Sequence, residues 1–190
     1  MPAVIRYMML AVLLSGAVHG AEVFQRACTG TMGVVMLPVY VQGKSIFQCV
    51  TPEGWRADVR TPDGAAVRFT ALSNRAASIS VVITPVSLAE HELQAWRIPI
   101  LRRALTQQRD FNLQSDALAT IDETPAWQAF GTRRAASDQR AEAHSFHIRH
   151  GYLFTISALA PERDDFLPAL RTITMTFRSF DALPDGVQPS

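Results

Sequence analysis

Residues 144–159 read HSFHIRHGYLFTISAL, and the fold turns on how this stretch is divided. As a single helix it would bring His144, His147 and His150 together at a spacing of three. As two strands, Gln139 to Arg149 and Tyr152 to Leu159, it breaks at His150-Gly151. The second division fits better, because a two-residue hairpin turn needs left-handed backbone, which glycine and histidine tolerate. On a strand successive side chains take opposite faces, so His144 and His150 share a face roughly 20 Å apart and His147 points away from them. No single metal ion spans that distance, so the expectation is an antiparallel hairpin with no metal.

The same alternation recurs upstream. In SISVVIT, from Ser78, Ile79, Val81 and Ile83 fall on one face, with Ser78, Ser80 and Thr84 on the other. Strand candidates at Arg56 to Arg60 and Ala66 to Leu72 flank the turn sequence Thr61-Pro62-Asp63-Gly64. Gly33 to Val50 reads as a further hairpin, turning at Gln42-Gly43. Ala117 to Ile121 and Ala126 to Thr132 supply two more strands. Ser87 and Glu90 form a capping box opening a helix with the apolar stripe Ala89, Leu93, Trp96, Ile100 and Ala104, which Pro99 is expected to kink. A second helix carries acidic Glu162, Asp164 and Asp165 in its first turn and the stripe Phe166, Leu170, Ile173 and Phe177. From Asp181 the tail, with Pro184, Gly186 and Pro189, is expected to be disordered.

Residues 1–20 are read as a secretory signal peptide: Arg6 precedes an uncharged run from Tyr7 to Val18, and cleavage is expected after about Gly20. The run is too short for a membrane span, which takes about 20 apolar residues. The expected location is the periplasm, with secretion as the alternative. Without Arg6, 17 basic and 17 acidic residues remain, so bulk attraction to nucleic acid is not expected; peripheral membrane contact stays open. Both cysteines, Cys28 and Cys49, lie in residues 21–50, and in an oxidising compartment such a pair tends to bridge. Closing that loop would contribute on the order of 3 kcal/mol. The alternative is two buried free thiols.

Catalytic signatures are missing. His91-Glu92 lacks the second histidine of a zinc-protease motif, because Ala95 stands in its place. The chain carries no nucleophile elbow, phosphate-binding loop, dinucleotide fingerprint or C-x-x-C. No catalytic residue, metal ligand or cofactor is therefore expected. Arg133, Arg134 and Arg140 flank a polar hairpin loop and are a candidate anion patch, although such residues are usually a solvated turn.

Five motifs in order carry a family resemblance: Pro52-Glu53-Gly54-Trp55, SISVVITPV running into Ser87-Leu88, Ile121-Asp122-Glu123-Thr124-Pro125-Ala126-Trp127, HGYLFTISA, and FLPALRTITMTF. From Thr51 to Phe180 the chain resembles the PsbP/Mog-like fold family, with bacterial relatives of the DcrB type. It departs from the pattern at Glu123, where relatives often have glycine, and at Pro99. The resemblance implies an α+β fold, an antiparallel sheet of about six strands flanked by α-helices. The division expected is a signal peptide at 1–20, an N-terminal hairpin extension at 21–50, the PsbP/Mog-like domain at 51–180 and a tail at 181–190. It also implies a non-catalytic protein that binds or assists an unidentified protein partner. The alternative is a carrier or chaperone for a lipid or hydrophobic peptide, held between the sheet and a movable helix by Trp96 and Ile100.

Overall fold

The computed structural model describes residues 21–30, 33–61, 63–87, 98–108, 110–135, 138–185 and 187–189. In chain order these form β1 (Glu22–Gly30), β2 (Gly33–Gln42), β3 (Ser45–Gln48), β4 (Trp55–Asp58), β5 (Val67–Ala71) and β6 (Ser78–Pro85), then helix α1 (Ile98–Thr106). They continue with β7 (Phe111–Ile121), β8 (Thr124–Ala135), β9 (Asp138–Arg149) and β10 (Tyr152–Ala160). A 3-10 turn at Arg163–Asp165, helix α2 (Leu167–Thr176), β11 (Arg178–Phe180) and β12 (Val187–Pro189) complete them.

The strands make two antiparallel sheets. One has seven strands in the order β4-β5-β6-β10-β9-β8-β7, and the other five in the order β11-β3-β2-β1-β12. This corrects the expectation of a single sheet of about six strands. The β9–β10 hairpin turns at His150 (φ 50°) and Gly151 (φ 76°), with Arg149 paired to Tyr152 as the sequence division required. The β7–β8 hairpin turns at Asp122 (φ 52°) and Glu123 (φ 61°), so a glutamate holds left-handed backbone that favours glycine.

Alternation places the core. One face of the seven-stranded sheet presents Val67, Phe69, Ile79, Val81, Phe154 and Ile156 to Tyr40 and Phe47 of the second sheet and to Leu170, Ile173 and Phe177 of the α2 region. Tyr40 meets Phe69 edge-on at 6.4 Å, and Phe47 meets Phe154 at 6.2 Å. Phe177 stacks on Phe47 at 5.4 Å, and Thr176 Oγ1 accepts a hydrogen bond from the Val50 N–H at 3.0 Å. The second sheet and α2 thus cover the same face. On the opposite face α1 packs Leu101 and Leu105 over Trp127, Phe146, Ile148 and Leu153. Trp127 Nε1 donates to Asp116 Oδ2 at 2.9 Å, and Arg102 bridges to Asp116 Oδ1 at 2.7 Å, which fixes α1 on β7. The close approach of β7 to β8 depends on Gly131, where a Cβ would lie 2.4 Å from the Asn112 carbonyl oxygen, next to the β-bulge between Leu113 and Ser115.

Four sequence expectations change. Residues 21–50 are more than a hairpin appended to a domain: β2 and β3 pair as expected, but β1 precedes them, and β11 and β12 complete their sheet. The tail expected to be disordered contains β12, whose Val187 pairs with Arg26 of β1. Across α1 the apolar stripe runs through Ile98, Leu101 and Leu105, leaving Ile100 at 41% exposure. Within the described part of the helix the expected positions Ile100 and Ala104 are therefore one residue out of phase with the packed Leu101 and Leu105.

The fourth change concerns the cysteines, which are not joined. Cys28 lies opposite Val35, and Cys49 directly follows β3. Extending the β2–β3 register sets Cys49 beside Pro38, which pairs with Gln25, three residues along β1 from Cys28. Two strand spacings and three residues of rise put the pair on the order of 14 Å apart. A disulfide requires Cα atoms within about 7 Å. The signal peptide, His91, Glu92, the capping residue Glu90 and the stripe residues Ala89, Leu93 and Trp96 lie outside the described residues.

Candidate functional site

An apolar concavity lies between the two sheets at the β4 edge. It is open to solvent, has a volume of about 520 Å³ and is lined by Val23 and Gln25 of β1, Met36, Pro38 and Tyr40 of β2, and Ala57 and Val59 of β4 and the residue after it. Its origin is local. Trp55 and Ala57 point inward from β4 while Arg56 and Asp58 point to solvent, and the inward position at 57 carries only a methyl group. Short alternation with a small side chain leaves β4 unable to fill the space beneath β1. Tyr40 forms the floor, stacked on Phe47 at 5.0 Å. Burial pushes its phenol pKa up, so the ring stays neutral, and Thr51 is its hydrogen-bonding neighbour. Few polar groups in a mainly apolar lining, at a volume in the range of about 300–1,000 Å³, is the usual make-up of a binding cleft.

The Arg133 region behaves differently from an anion patch. Arg133 is committed to Glu142, through Nε to Oε2 at 2.5 Å and Nη2 to Oε1 at 3.0 Å, and also donates to Gln108 Oε1 at 2.7 Å. Arg134 lines a shallow polar cleft with two carboxylates, Asp110 and Asp138, beside it. Neither arginine is thus arranged to hold an anion, whose charge Asp110 and Asp138 would oppose.

Glu142 also leads into a chain with the composition of a hydrolytic relay. His144 Nε2 lies 2.8 Å from Glu142 Oε1, off the line of a well-formed hydrogen bond, and His144 Nδ1 lies 2.9 Å from Ser157 Oγ. Burial opposes the charge of Glu142, but the contacts with His144 and Arg133 outweigh it and hold the carboxyl below its ordinary range. What acyl transfer would also need is a pair of N–H donors aimed at a developing oxyanion. Around Ser157 the backbone runs in ladders between β9 and β6, which occupy those groups. The arrangement therefore reads as a cross-strand polar network.

The three histidines of the opening segment separate as the strand reading required. His150 is in the turn, His144 is on the α1 face, and His147 is on the core face. His147 is fully buried, stacked on Phe154 at 5.0 Å and edge-on to Phe177 at 4.9 Å. Among the described residues neither ring nitrogen has a hydrogen-bond partner. Burial, with the nearby Arg149 charge adding to it, depresses its pKa to about 3.

No family model and no curated protein matches the chain. Solved structures do. LpqN of Mycobacterium tuberculosis, a protein involved in cell envelope biogenesis, is similar at TM-score 0.56 and 14% identity, over 70% of this chain and 82% of LpqN. CyanoP, the cyanobacterial PsbP of Synechocystis, aligns at TM-score 0.49 and 18% identity, over 80% of this chain and 98% of CyanoP. At such identities the likeness to LpqN establishes the fold alone.

Of the two residues singled out for a ligand, only Ile100 is described, and it does not line the cleft. Trp96 lies outside the described residues, and Ile100 is on the outer side of α1. Cys49 is buried with its thiol pKa pushed up by burial, which makes it inert, and Cys28 is partly exposed. Sequence reasoning missed the cleft because its lining comes from three strands whose pairing brings separate segments together. The one available signal was Ala57, a small residue at an inward position between Trp55 and Val59.

Proposed function

We propose that this protein is an exported, non-catalytic component of the cell envelope that binds another protein, taking an extended apolar segment of it into the cleft between the sheets. The observation that supports this reading is the cleft itself, lying beside an edge strand. Apolar walls favour apolar side chains, and the outer edge of β4 can offer backbone donors and acceptors to an extended peptide, as in strand addition. A lipid chain would use the walls but not the edge. The second reading, a carrier for a lipid or hydrophobic peptide, draws on the cleft's volume of about 520 Å³.

Ala57→Leu tests the site, because it adds apolar bulk to one wall and narrows the cleft at β4 while leaving the fold intact. Binding of labelled extended apolar peptides, read by fluorescence polarisation, should weaken at least about tenfold, equivalent to about 1.4 kcal/mol. Leu72→Lys, at an exposed position away from the cleft, should leave binding unchanged. Peptide binding that survives both Ala57→Leu and Met36→Asp would overturn the site. A stoichiometric lipid in an organic extract of the purified protein would favour the second reading, and a reproducible turnover activity would refute the non-catalytic one.

A further inference from the structure

The two edges of the seven-stranded sheet differ in kind. β4 is four residues long and shows Arg56 and Asp58 to solvent, the combination of shortness and charge that normally prevents edge-to-edge association. β7 is eleven residues long, FNLQSDALATI, with no lysine, arginine or proline. After the bulge at Leu113/Ser115 it runs regularly from Ser115 to Ile121, and Asp116 is its only charge. Among the described residues β8 alone pairs with it, leaving its outer edge open. Leu118, at the middle of this run, is 63% exposed.

We infer that β7 is a homodimer edge, at which a second copy of this chain pairs antiparallel about a two-fold axis through Leu118. The register is self-complementary. Leu118 would face Leu118 of the other copy, Ala117 would face Ala119, Asp116 would face Thr120, and Ser115 would face Ile121. No like charges meet, whereas an axis at Asp116 would set two carboxylates opposite each other, and an axis at Ala119 would set Asp116 against Asp122. Cross-strand neighbours of this sort are the unit of sheet stabilisation, and like charges directly opposite are destabilising. The small alanine pairs permit close backbone approach, and the two leucines bury the largest exposed apolar side chain of the edge. An isologous contact of this kind closes as a dimer and joins the two sheets into one. It uses the edge opposite β4, so the cleft stays accessible in both copies.

The test is sedimentation equilibrium of the purified exported chain together with Leu118→Lys, which places two ammonium groups across the axis. Association through one short ladder is expected to be weak, at the low end of interface sizes. The wild type should dimerise, Leu118→Lys should weaken association at least about tenfold, and Met175→Lys, exposed on α2, should leave it unchanged. Circular dichroism confirms that each variant is folded. In a second measurement, Leu118→Cys should cross-link to a dimer under mild oxidation through the two-fold pair, beyond the wild-type background from Cys28 and Cys49. A protein that is monomeric up to about 100 µM, a dimer that persists in Leu118→Lys, or a Leu118→Cys variant that does not cross-link would each overturn the proposal.

Discussion

His147 should give the protein an acid-sensitive core. Its imidazole lies among Phe154 and Phe177 with both nitrogens unpartnered, and burial lowers its pKa to about 3. In the unfolded chain the same group titrates near 6.5. Between these values the unfolded state takes up a proton that the folded state refuses, so stability falls as pH drops below about 6.5 and the loss is complete near pH 3. Each pH unit is worth about 1.4 kcal/mol, which makes the loss at pH 5 about 2 kcal/mol. For a domain stable by about 5–15 kcal/mol this is readily measured. Urea denaturation at pH 7 and pH 5 is the assay, a window that lies above the depressed range of Glu142. His147→Phe and His147→Leu remove the titrating group. Both should reduce the pH 7 to pH 5 difference by about 2 kcal/mol. Their stability at pH 7 is a separate quantity, since removing two orphan nitrogens gains about 1–3 kcal/mol and overpacking by phenylalanine can cost as much. An unchanged difference between pH 7 and pH 5 in both variants would refute the argument.

Other positions give sharper local tests. Glu123→Gly should raise stability by about 0.5–1 kcal/mol, because it relieves left-handed strain at the β7–β8 turn while adding some unfolded-state entropy; thermal denaturation would show it as a higher Tm. Gly131→Ala should lower stability by about 1–3 kcal/mol, since its methyl group would meet the Asn112 carbonyl oxygen and the Phe111 ring. The α1-side core should loosen with it, visible as increased Trp127 fluorescence quenching. Mass spectrometry of the unreduced protein should find two alkylatable thiols after denaturation. In the native state Cys28 should react well ahead of buried Cys49.

Where each strand is half buried and half solvated, the sequence displayed it: Ile79 and Val81 in β6, the runs flanking His150-Gly151, and the Phe166, Leu170, Ile173, Phe177 stripe all occupy the positions their periodicity required. Reading failed where that contrast is weak. Val23 to Arg26 of β1 are all half exposed, so no strong apolar face announces the strand. β7 extends back to Phe111, beyond the expected start at Ala117, because its bulge shifts the alternation. Pro189 and Gly186 read as tail, although Val187–Pro189 pairs at a sheet edge where proline is tolerated. The Arg133–Glu142 pair was illegible for another reason. It is a diagonal contact, with Arg133 in register with Arg140 and Glu142 with Gly131, and register between β8 and β9 is a property of the turn that joins them.

β1, which its sequence does not announce, is also one of the strands that line the cleft, and the two facts share a cause. Tyr40 on Phe69 sets β2 over β5. One strand further out, β1 therefore reaches only as far as the four-residue β4, and β12 extends the upper sheet past it. A strand that rests on a full counter-surface must be apolar on alternate residues, and its sequence shows it. A strand that overhangs has no such requirement, and its half-exposed side chains give little periodic signal. The same shortfall of counter-surface leaves apolar Val23, Met36 and Val59 around an unfilled space. A larger residue at position 57 would narrow that space, and the position carries alanine. The charges of Arg56 and Asp58 hinder indiscriminate strand pairing at the same edge.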